Sequence, residues 1–200
     1  MAVPVAIIDS GGANIASLQY ALQRLGASGQ LTTNADEIRA APRVILPGVG
    51  AAGDAMQRLR DHGLVDVIRD LTQPVLGICL GMQLFADASE EEDVECLGII
   101  PGVAIRLEAK TGLPVPNMGW CPVSTNLPSE LFAGIDNDSY FYFVHSYALP
   151  ISEFTLATAR HQEPFTAMCG RENFLATQFH PERSSTDGAR LLSNFLRLAA

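Results

Sequence analysis

Three short stretches carry residue types that could do covalent chemistry, and the first is GICLGMQLF (77–85). Cys79 stands there between Gly77 and Gly81, directly after an apolar run. Small residues two positions before and after a nucleophile permit a tight turn from strand to helix, which exposes the side chain at a helix N-terminus. Such a position favours the reactive thiolate. The alternative is a buried core cysteine with glycines for close packing, and this stretch alone leaves both interpretations open.

The second stretch is QFHPERS (178–184), in which Pro181 separates His180 from Glu182. Proline fixes its own φ and pushes the residue before it into the extended region, where side chains two residues apart project to the same side. The carboxylate of Glu182 is therefore predicted to fix the tautomer of the His180 imidazole and to favour its charged form. A His-x-Glu pair alone is weak evidence for a catalytic pair, because such pairs are common on protein surfaces. Combined with the cysteine turn, it predicts a Cys79–His180–Glu182 triad.

The third stretch is PGVGAAGDAM (47–56), a glycine-rich turn after another apolar run. Glycines let backbone N–H groups turn toward a neighbouring site at the carboxyl edge of a sheet. The N–H of Val49 and that of Leu80, the residue after the candidate nucleophile, would then form an oxyanion hole. An ordinary turn from strand to helix stays the alternative.

The elements that must position these stretches alternate between strand and helix in the first half of the chain. Three short continuous apolar runs, VPVAIID (3–9), RVILPG (43–48) and PVLGIC (74–79), are typical of buried parallel strands. Asn14 is a candidate N-cap and Gly26 a candidate stop for the helix that follows the first run. This alternation predicts a parallel α/β sheet.

The second half of the chain has a different sequence pattern, because strand-like segments follow one another from residue 96 onward. GREN (170–173) is predicted to be the hairpin turn between two of them, and a helix closes the chain. We therefore predict a single α/β domain over residues 1–200, with a central mostly parallel sheet flanked by helices and additional antiparallel strands. The other segments are LGIIPGVAIRL, YFYFVHSYAL, FTLATAR, FTAMCG and FLATQFH.

Composition excludes several classes of function. The 200 residues carry a formal net charge of −9, which disfavours nucleic acid and anionic membranes as partners. The four cysteines share no metal-ligand spacing with the four histidines and do not form a disulfide framework. The first residues, MAVPVAIIDSGG, have no basic region ahead of their apolar stretch, so we expect no secretory signal, and no apolar run approaches about 20 residues. We expect a soluble, cytoplasmic protein without a metal or cofactor.

In combination, PGVG, GICLGMQ and QFHPE resemble the class I glutamine amidotransferases over essentially the whole chain. The resemblance implies a glutaminase domain with a Cys–His–Glu triad that hydrolyses L-glutamine to glutamate and ammonia. Cys79 would form a glutamyl thioester, His180 would move the protons, and Glu182 would orient His180.

Within that class, PNMGW (116–120), YFVHSY (142–147) and HPERS (180–184) resemble the glutaminase subunits of imidazole glycerol phosphate synthase. This resemblance implies a (β/α)₈ cyclase as heterodimer partner, which would receive the ammonia during histidine biosynthesis. Asn14, Trp120 and Arg183 match positions that face the cyclase in these subunits.

The family pattern also implies substrate-binding residues. Gln83 would bind the α-amino and carboxylate end of glutamine, and Glu91 would contact its ammonium group. The alternatives are an ordinary polar helix residue at Gln83, a core role for Trp120 and a solvated charge at Arg183. Further residues of the same pocket are predicted to be Gly50, His145, Ser146 and Tyr147.

Some positions depart from the family pattern, although none of them belongs to the triad. The first turn reads DSGGAN (9–14) where the family commonly has Asp-Tyr-Gly-Met-Gly-Asn. Asn117 stands where histidine is common, and Cys121 stands where asparagine is common. These departures concern the interface more than the chemistry.

Three other functions remain as alternatives. A cysteine-dependent esterase or peptidase would use the same turn, but in the α/β-hydrolase arrangement the acid precedes the histidine, and here Glu182 follows His180. A glutaminase that serves another synthase is a closer rival. A redox-sensing or scaffolding subunit would need only the thiol of Cys79.

Overall fold

The computed structural model describes residues 3–12 and 15–199. Within these ranges the helices are α1 (Ile15–Arg24), α2 (Ala35–Ala40), α3 (Ala52–Asp61), α4 (Leu64–Arg69), α5 (Leu80–Leu84) and α6 (Ser185–Phe195), with single 3₁₀ turns at Glu130–Phe132 and Pro181–Arg183. The strands are β1 (Val3–Ile8), β2 (Ala27–Thr32), β3 (Val44–Gly48), β4 (Val75–Cys79), β5 (Ala88–Ser89), β6 (Val94–Glu95), β7 (Val103–Arg106), β8 (Asn117–Thr125), β9 (Ser139–His145), β10 (Tyr147–Ala148), β11 (Thr155–Arg160), β12 (Pro164–Arg171) and β13 (Phe174–Thr177).

The main sheet has nine strands in the order β2-β1-β3-β4-β13-β12-β11-β8-β9. The first five are joined by parallel pairings, and the remaining strands are added by antiparallel pairings. A smaller sheet has the order β10-β7-β5-β6. The predicted fold class, a mostly parallel central sheet with additional antiparallel strands, is confirmed.

The register of the central strands brings three segments to one edge of the sheet. Gly48 at the end of β3 lies opposite Cys79 at the end of β4, and Thr177 at the end of β13 lies opposite Ile78. Parallel strands present their carboxyl ends at the same edge, where α/β proteins build their sites. The three stretches singled out by the sequence therefore meet there.

Hydrophobic side chains cover both faces of the central sheet, which explains the continuous apolar runs. Along β1, Ile7 and Ile8 are both fully buried but belong to different core clusters, because successive side chains of a strand point to opposite faces. One cluster includes Met56 of α3 and Ile68 of α4, and the other includes Leu22 of α1. Helices thus pack on both faces and hold the sheet edges in place.

The three predicted parallel strands are confirmed within one residue at each end, and GREN (170–173) does join antiparallel β12 and β13. The predicted stop at Gly26 is also confirmed, because its φ of 77° ends the helical path after Arg24. The candidate N-cap Asn14 lies outside the described residues.

Other strand predictions were too long. Of LGIIPGVAIRL only Val103–Arg106 is a strand, because residues 97–102 turn twice at Gly98 and Gly102, both with positive φ. YFYFVHSYAL divides into β9 and β10 at Ser146, and FLATQFH stops being a strand after Thr177.

No helix among the described residues has both the length and the apolar character that a membrane span requires. In residues 3–12 and 15–199, no three His, Cys, Asp or Glu side chains come together as a metal site would need.

Candidate active site

Cys79 has a backbone conformation that L-residues rarely adopt, with φ 54° and ψ −106°. It is the last residue of β4, and α5 begins at the next residue. A Cβ added to Gly81 would lie 1.8 Å from the carbonyl oxygen of Leu46, and one added to Gly77 would lie 2.9 Å from the carbonyl oxygen of Gly81. Both glycines are therefore required for close packing, and that packing holds Cys79 in a strained turn. The predicted exposure of its side chain is wrong, because Cys79 is only 6% exposed and belongs to a hydrophobic core cluster.

His180 and Glu182 form a buried pair. Nδ1 of His180 lies 2.8 Å from Oε1 of Glu182, and the two side chains are only 6% and 7% exposed. The predicted pairing is therefore present, and His180 before Pro181 is extended as predicted, but the segment after it is not. The chain does not stay extended after Pro181, because Pro181–Arg183 forms a 3₁₀ turn that brings the carboxylate back under the imidazole.

Ser184 fixes this turn to the rest of the sheet. Its hydroxyl donates to the carbonyl of His180 at 2.7 Å and accepts the backbone N–H of Tyr142 at 3.0 Å. The backbone N–H of His180 in turn donates to the carbonyl of Tyr142 at 2.9 Å. The segment that carries the imidazole is thus attached to β9 by two hydrogen bonds and closed on itself by a third.

The electrostatics of the site favour a charged His180. Burial by itself would lower the pKa of His180, but its interactions with Cys79 and Glu182 outweigh burial and raise this pKa to about 10. Since Nδ1 is bonded to Glu182, Nε2 is the ring nitrogen left to exchange a proton with the sulfur of Cys79. An imidazolium beside a sulfur stabilises the thiolate form of a cysteine.

The sulfur of Cys79 has two further polar neighbours. The side-chain amide of Gln178 donates to it from 3.7 Å, and the sulfur lies 3.7 Å from the carbonyl oxygen of Val144, to which the thiol donates. Gln178 is completely buried. The sequence did not single out Gln178, although the residue stands inside the QFHPERS stretch.

The predicted oxyanion-hole residues lie at the same edge of the sheet. Leu80 is the first residue of α5, and a Cβ on Gly48 would touch its side chain at 2.9 Å. A narrow cavity of about 60 Å³ beside the site is lined by Gly48, Val49, His180 and Glu182, among others. The glycine at position 48 therefore lets the β3 turn approach the nucleophile closely.

Two predicted substrate-binding residues are already engaged within the protein. The amide nitrogen of Gln83 donates hydrogen bonds to the carbonyl of Tyr147 at 2.9 Å and to the side-chain oxygen of Gln178 at 3.1 Å. The carboxylate of Glu91 accepts the backbone N–H of Ala52 at 2.8 Å, at the start of α3. Gly50 is exposed and has a φ of 99°.

His145 is buried, and its two ring nitrogens are occupied. Nδ1 lies 2.8 Å from the carbonyl of Tyr147, and Nε2 lies 3.0 Å from the side-chain nitrogen of Asn117. Burial lowers the pKa of His145 to about 4, so that the ring is neutral at pH 7. Ser146 and Tyr147 are half-buried, and the Ser146 carbonyl accepts the N–H of Leu107 at 2.8 Å.

Trp120 and Arg183, predicted to face a partner, share one surface beside the triad. Trp120 is 50% exposed and meets Tyr142 edge to face at 6.1 Å, while the guanidinium of Arg183 lies 4.3 Å above the same tyrosine ring. Met118, on the same face of β8, is 65% exposed. A core role for Trp120 is therefore excluded. Asn14 lies outside the described residues.

A larger cavity of about 300 Å³ lies apart from this site, between β7, β10 and the turn from β11 to β12. Its lining contains neither Cys79 nor His180. We regard the edge with Cys79 as the candidate active site, because the groups with reactive chemistry meet there and not in the larger cavity.

Comparison with known proteins places this geometry in a family. The family model described as "Glutamine amidotransferase class-I" matches residues 6–199. This chain belongs to the class I glutamine amidotransferase family. A solved structure described as a glutamine amidotransferase superposes with a TM-score of 0.74 at 19% identity and covers 96% of each chain, so that the class I fold is shared.

Two relatives match along nearly their whole length. "Imidazole glycerol phosphate synthase subunit HisH 2" of Legionella pneumophila (strain Lens) is 52% identical over 194 residues, which are 97% of this chain and 98% of that protein. "Imidazole glycerol phosphate synthase subunit HisH" of Shewanella oneidensis is 47% identical over 211 residues, which cover 97% of this chain and 96% of that protein.

Proposed function

We propose that this chain is the glutaminase subunit of a cytoplasmic imidazole glycerol phosphate synthase and works as one domain over residues 1–200. It hydrolyses L-glutamine to glutamate and ammonia for histidine biosynthesis. The observation that carries this proposal is the strained Cys79 beside the buried His180–Glu182 pair, in a chain about half identical to synthase subunits over its whole length.

The chemistry follows from the three side chains. The thiolate of Cys79 attacks the side-chain amide carbon of glutamine, the C–N bond breaks, and His180 gives the proton that lets ammonia leave. Water then attacks the glutamyl thioester while His180 takes its proton, and glutamate leaves as the C–S bond breaks. Glu182 holds the imidazole in place and stabilises its charged form throughout.

The negative oxygen of each tetrahedral intermediate needs donors that are already in place. The N–H groups of Leu80 and Val49 are the proposed donors. Leu80 supports this role because it directly follows the nucleophile at the first position of α5, where backbone N–H groups have no partner within the helix. Val49 supports it because it lines the narrow cavity together with His180.

The substrate pocket is proposed to include Gly50, Gln83, Glu91 and the segment from His145 to Tyr147. The amide nitrogen of Gln83 is committed to partners among the described residues, which leaves its carbonyl oxygen for the substrate amino group. Glu91 lies near the same turn because it contacts Ala52, two residues after Gly50. In this segment the neutral ring of His145 acts through the backbone it supports, because the ring itself is buried.

A (β/α)₈ cyclase is the proposed partner. The apolar face formed by Met118, Trp120, Tyr140 and Tyr142, with Arg183 beside it, supports this interaction. Aromatic side chains and arginine are the residues enriched in protein interfaces. This face adjoins the triad, since Val144 on β9 contacts the sulfur of Cys79, and ammonia released there would have a short path to the partner.

The deciding experiment measures glutamate formation from L-glutamine by the purified chain, first alone and then with the cyclase and its nucleotide substrate. Low turnover alone and strong stimulation by the loaded cyclase are expected, because ammonia released without an acceptor is wasted. Turnover that ignores the cyclase would assign the chain to another synthase. No turnover under either condition would refute the glutaminase function.

A further inference from the structure

A continuous series of buried hydrogen bonds links the candidate nucleophile to strand β8. The Gln178 amide nitrogen donates to the sulfur of Cys79 at 3.7 Å, and the Gln178 oxygen accepts from Gln83 at 3.1 Å. Gln83 also donates to the carbonyl of Tyr147, which His145 contacts as well. Gln83 and Gln178 are 4% and 0% exposed, so that these bonds are shielded from water.

A single backbone carbonyl determines the orientation of the side chains in this series. The oxygen of Tyr147 can only accept, so Gln83 must turn its nitrogen toward Tyr147, and the same nitrogen reaches Gln178. Gln178 must therefore present its oxygen to Gln83 and its nitrogen to Cys79. The orientation of Gln178 is thereby fixed by a carbonyl that the residue does not touch.

The carbonyl of Tyr147 also fixes the orientation of His145 and Asn117. His145 must carry its proton on Nδ1 to donate to Tyr147, which makes its Nε2 an acceptor for the amide of Asn117. Asn117 then offers its oxygen to the thiol of Cys121, 3.7 Å away. Each donor in the series faces an acceptor, so no amide in it can rotate by itself without loss of a buried hydrogen bond.

We propose that Gln178 is a positioning residue for the nucleophile: its amide donates to the Cys79 thiolate and keeps the sulfur directed at the substrate, and Gln83 locks it in this orientation. The proposal rests on the proposed function only in that Cys79 reacts as a thiolate. Gln83 would then have two roles, since it also belongs to the proposed substrate pocket.

Three groups face the sulfur, and they come from two segments of the chain. Although Gln178 and His180 both belong to the segment after β13, they reach the sulfur as separate groups, and Val144 presents its carbonyl from β9; His180, with Glu182 behind it, is the titratable group. The Val144 carbonyl accepts from the thiol and repels the thiolate. Gln178 is therefore the neutral side chain in this set that favours the thiolate over the thiol.

The test is the pH profile of the alkylation rate of Cys79 by iodoacetamide, measured from the mass of the peptide that contains it. Burial raises the pKa of Cys96 to about 11 and that of Cys169 to about 12, so these thiols react slowly near neutral pH. Gln178→Met keeps the shape of the side chain and removes the donor. We expect its profile midpoint to lie roughly one pH unit higher than in the unsubstituted protein.

Gln83→Met provides an independent variant, because it leaves the amide of Gln178 present but free to rotate. We expect a shift in the same direction and of smaller size. Asn194→Ala is the matched control, since it removes two buried bonds of a side-chain amide, to the carbonyls of Leu131 and Ala133, far from the sulfur. It should reduce stability and leave the midpoint unchanged.

Unchanged midpoints in both glutamine variants would overturn the proposal, and so would an equal shift in Asn194→Ala, which would indicate general loosening. If Gln178→Met does not fold, the profile of Gln83→Met decides in the same way. Alkylation does not require glutamine, so a failure of glutaminase activity would refute the proposed function and leave this test intact.

Discussion

The Nδ1 atom of His180 and the Oε1 atom of Glu182 are 2.8 Å apart, although the two residues stand on either side of a proline. A 3₁₀ turn makes this contact and buries it. The proposed base and the group proposed to orient it are therefore supplied by one short segment, and the proposed nucleophile comes from a distant strand. The variants Glu182→Gln and Cys79→Ala test these two contributions separately.

Glu182→Gln should lower the pKa of His180. The amide oxygen still accepts a hydrogen bond from the Nδ1–H group, but it carries no negative charge to stabilise the imidazolium. Glutamine turnover should fall by roughly a hundredfold while the fold is retained. The His180 titration, followed by NMR of the imidazole, gives the midpoint directly. An unchanged midpoint would contradict the assigned role of the carboxylate.

The same variant, Glu182→Gln, tests how the free energy of unfolding depends on pH. Because the folded-state pKa of His180 is raised from 6.5 to about 10, its charged form contributes stability that is complete below pH 6.5 and is lost as the pH rises through about 10. The unsubstituted protein should therefore lose more unfolding free energy between these pH values than Glu182→Gln does. Urea unfolding at several pH values measures the difference, and parallel curves would contradict it.

Cys79→Ala should abolish glutamine hydrolysis and leave cyclase binding intact, because Cys79 is buried away from the proposed interface and alanine accepts the same backbone without adding bulk. Glutamate release and the dissociation constant of the complex are the two measurements. The Cys121→Ala variant, in which a half-buried thiol outside the triad is removed, serves as the control and should keep its turnover. Appreciable turnover in Cys79→Ala would refute the triad.

Gly81→Ala should destabilise the fold by about 3 kcal/mol or more, because its Cβ would overlap the backbone oxygen of Leu46 and β3 would have to move. Gly63→Ala is a useful comparison, since that glycine has a φ of 64° and open space around it. Backbone strain alone should cost about 1 kcal/mol there. Equal losses of stability, measured by denaturant unfolding, would show that the close approach at Gly81 is unimportant.

Trp120→Ala should weaken cyclase binding by about 2 kcal/mol, roughly 30-fold in the dissociation constant, with little effect on the stability of the free chain. Half of this residue is exposed in the isolated chain. Ile151→Ala is matched in exposure, at 51%, and lies on a different segment. If the two variants bind equally well, the partner uses another surface. Titration calorimetry provides the constants.

Much of the fold could be predicted because the central strands are buried on both faces and therefore appear as unbroken apolar runs. β2, with the sequence ASGQLT, could not be predicted in this way, because it lies at the edge of the sheet and is largely exposed. β8 was also missed, since it contains Pro122 and alternates small, polar and aromatic residues. Strands at the edge of a sheet, such as β2, need fewer apolar side chains, so their sequence pattern carries less information.

The candidate site, like the fold, could be predicted only in part from the sequence. The turn at Cys79 could be inferred because its glycines are local, and so could the proximity of His180 and Glu182. Gln178 was overlooked because its partners Cys79 and Gln83 lie 99 and 95 residues away in the chain. His145 was placed in the substrate pocket from its motif, and only the sheet register shows that its ring points into the protein interior.

The position of β13 has a consequence for biosynthesis of the protein. This strand inserts between β4 and β12, and it leads directly to His180. While a ribosome makes the chain, the cysteine emerges about a hundred residues before its base. A nascent chain therefore carries the thiol of Cys79 before His180 has been made, and β13, the last strand of the central sheet in chain order, leads to the residues that complete the proposed triad.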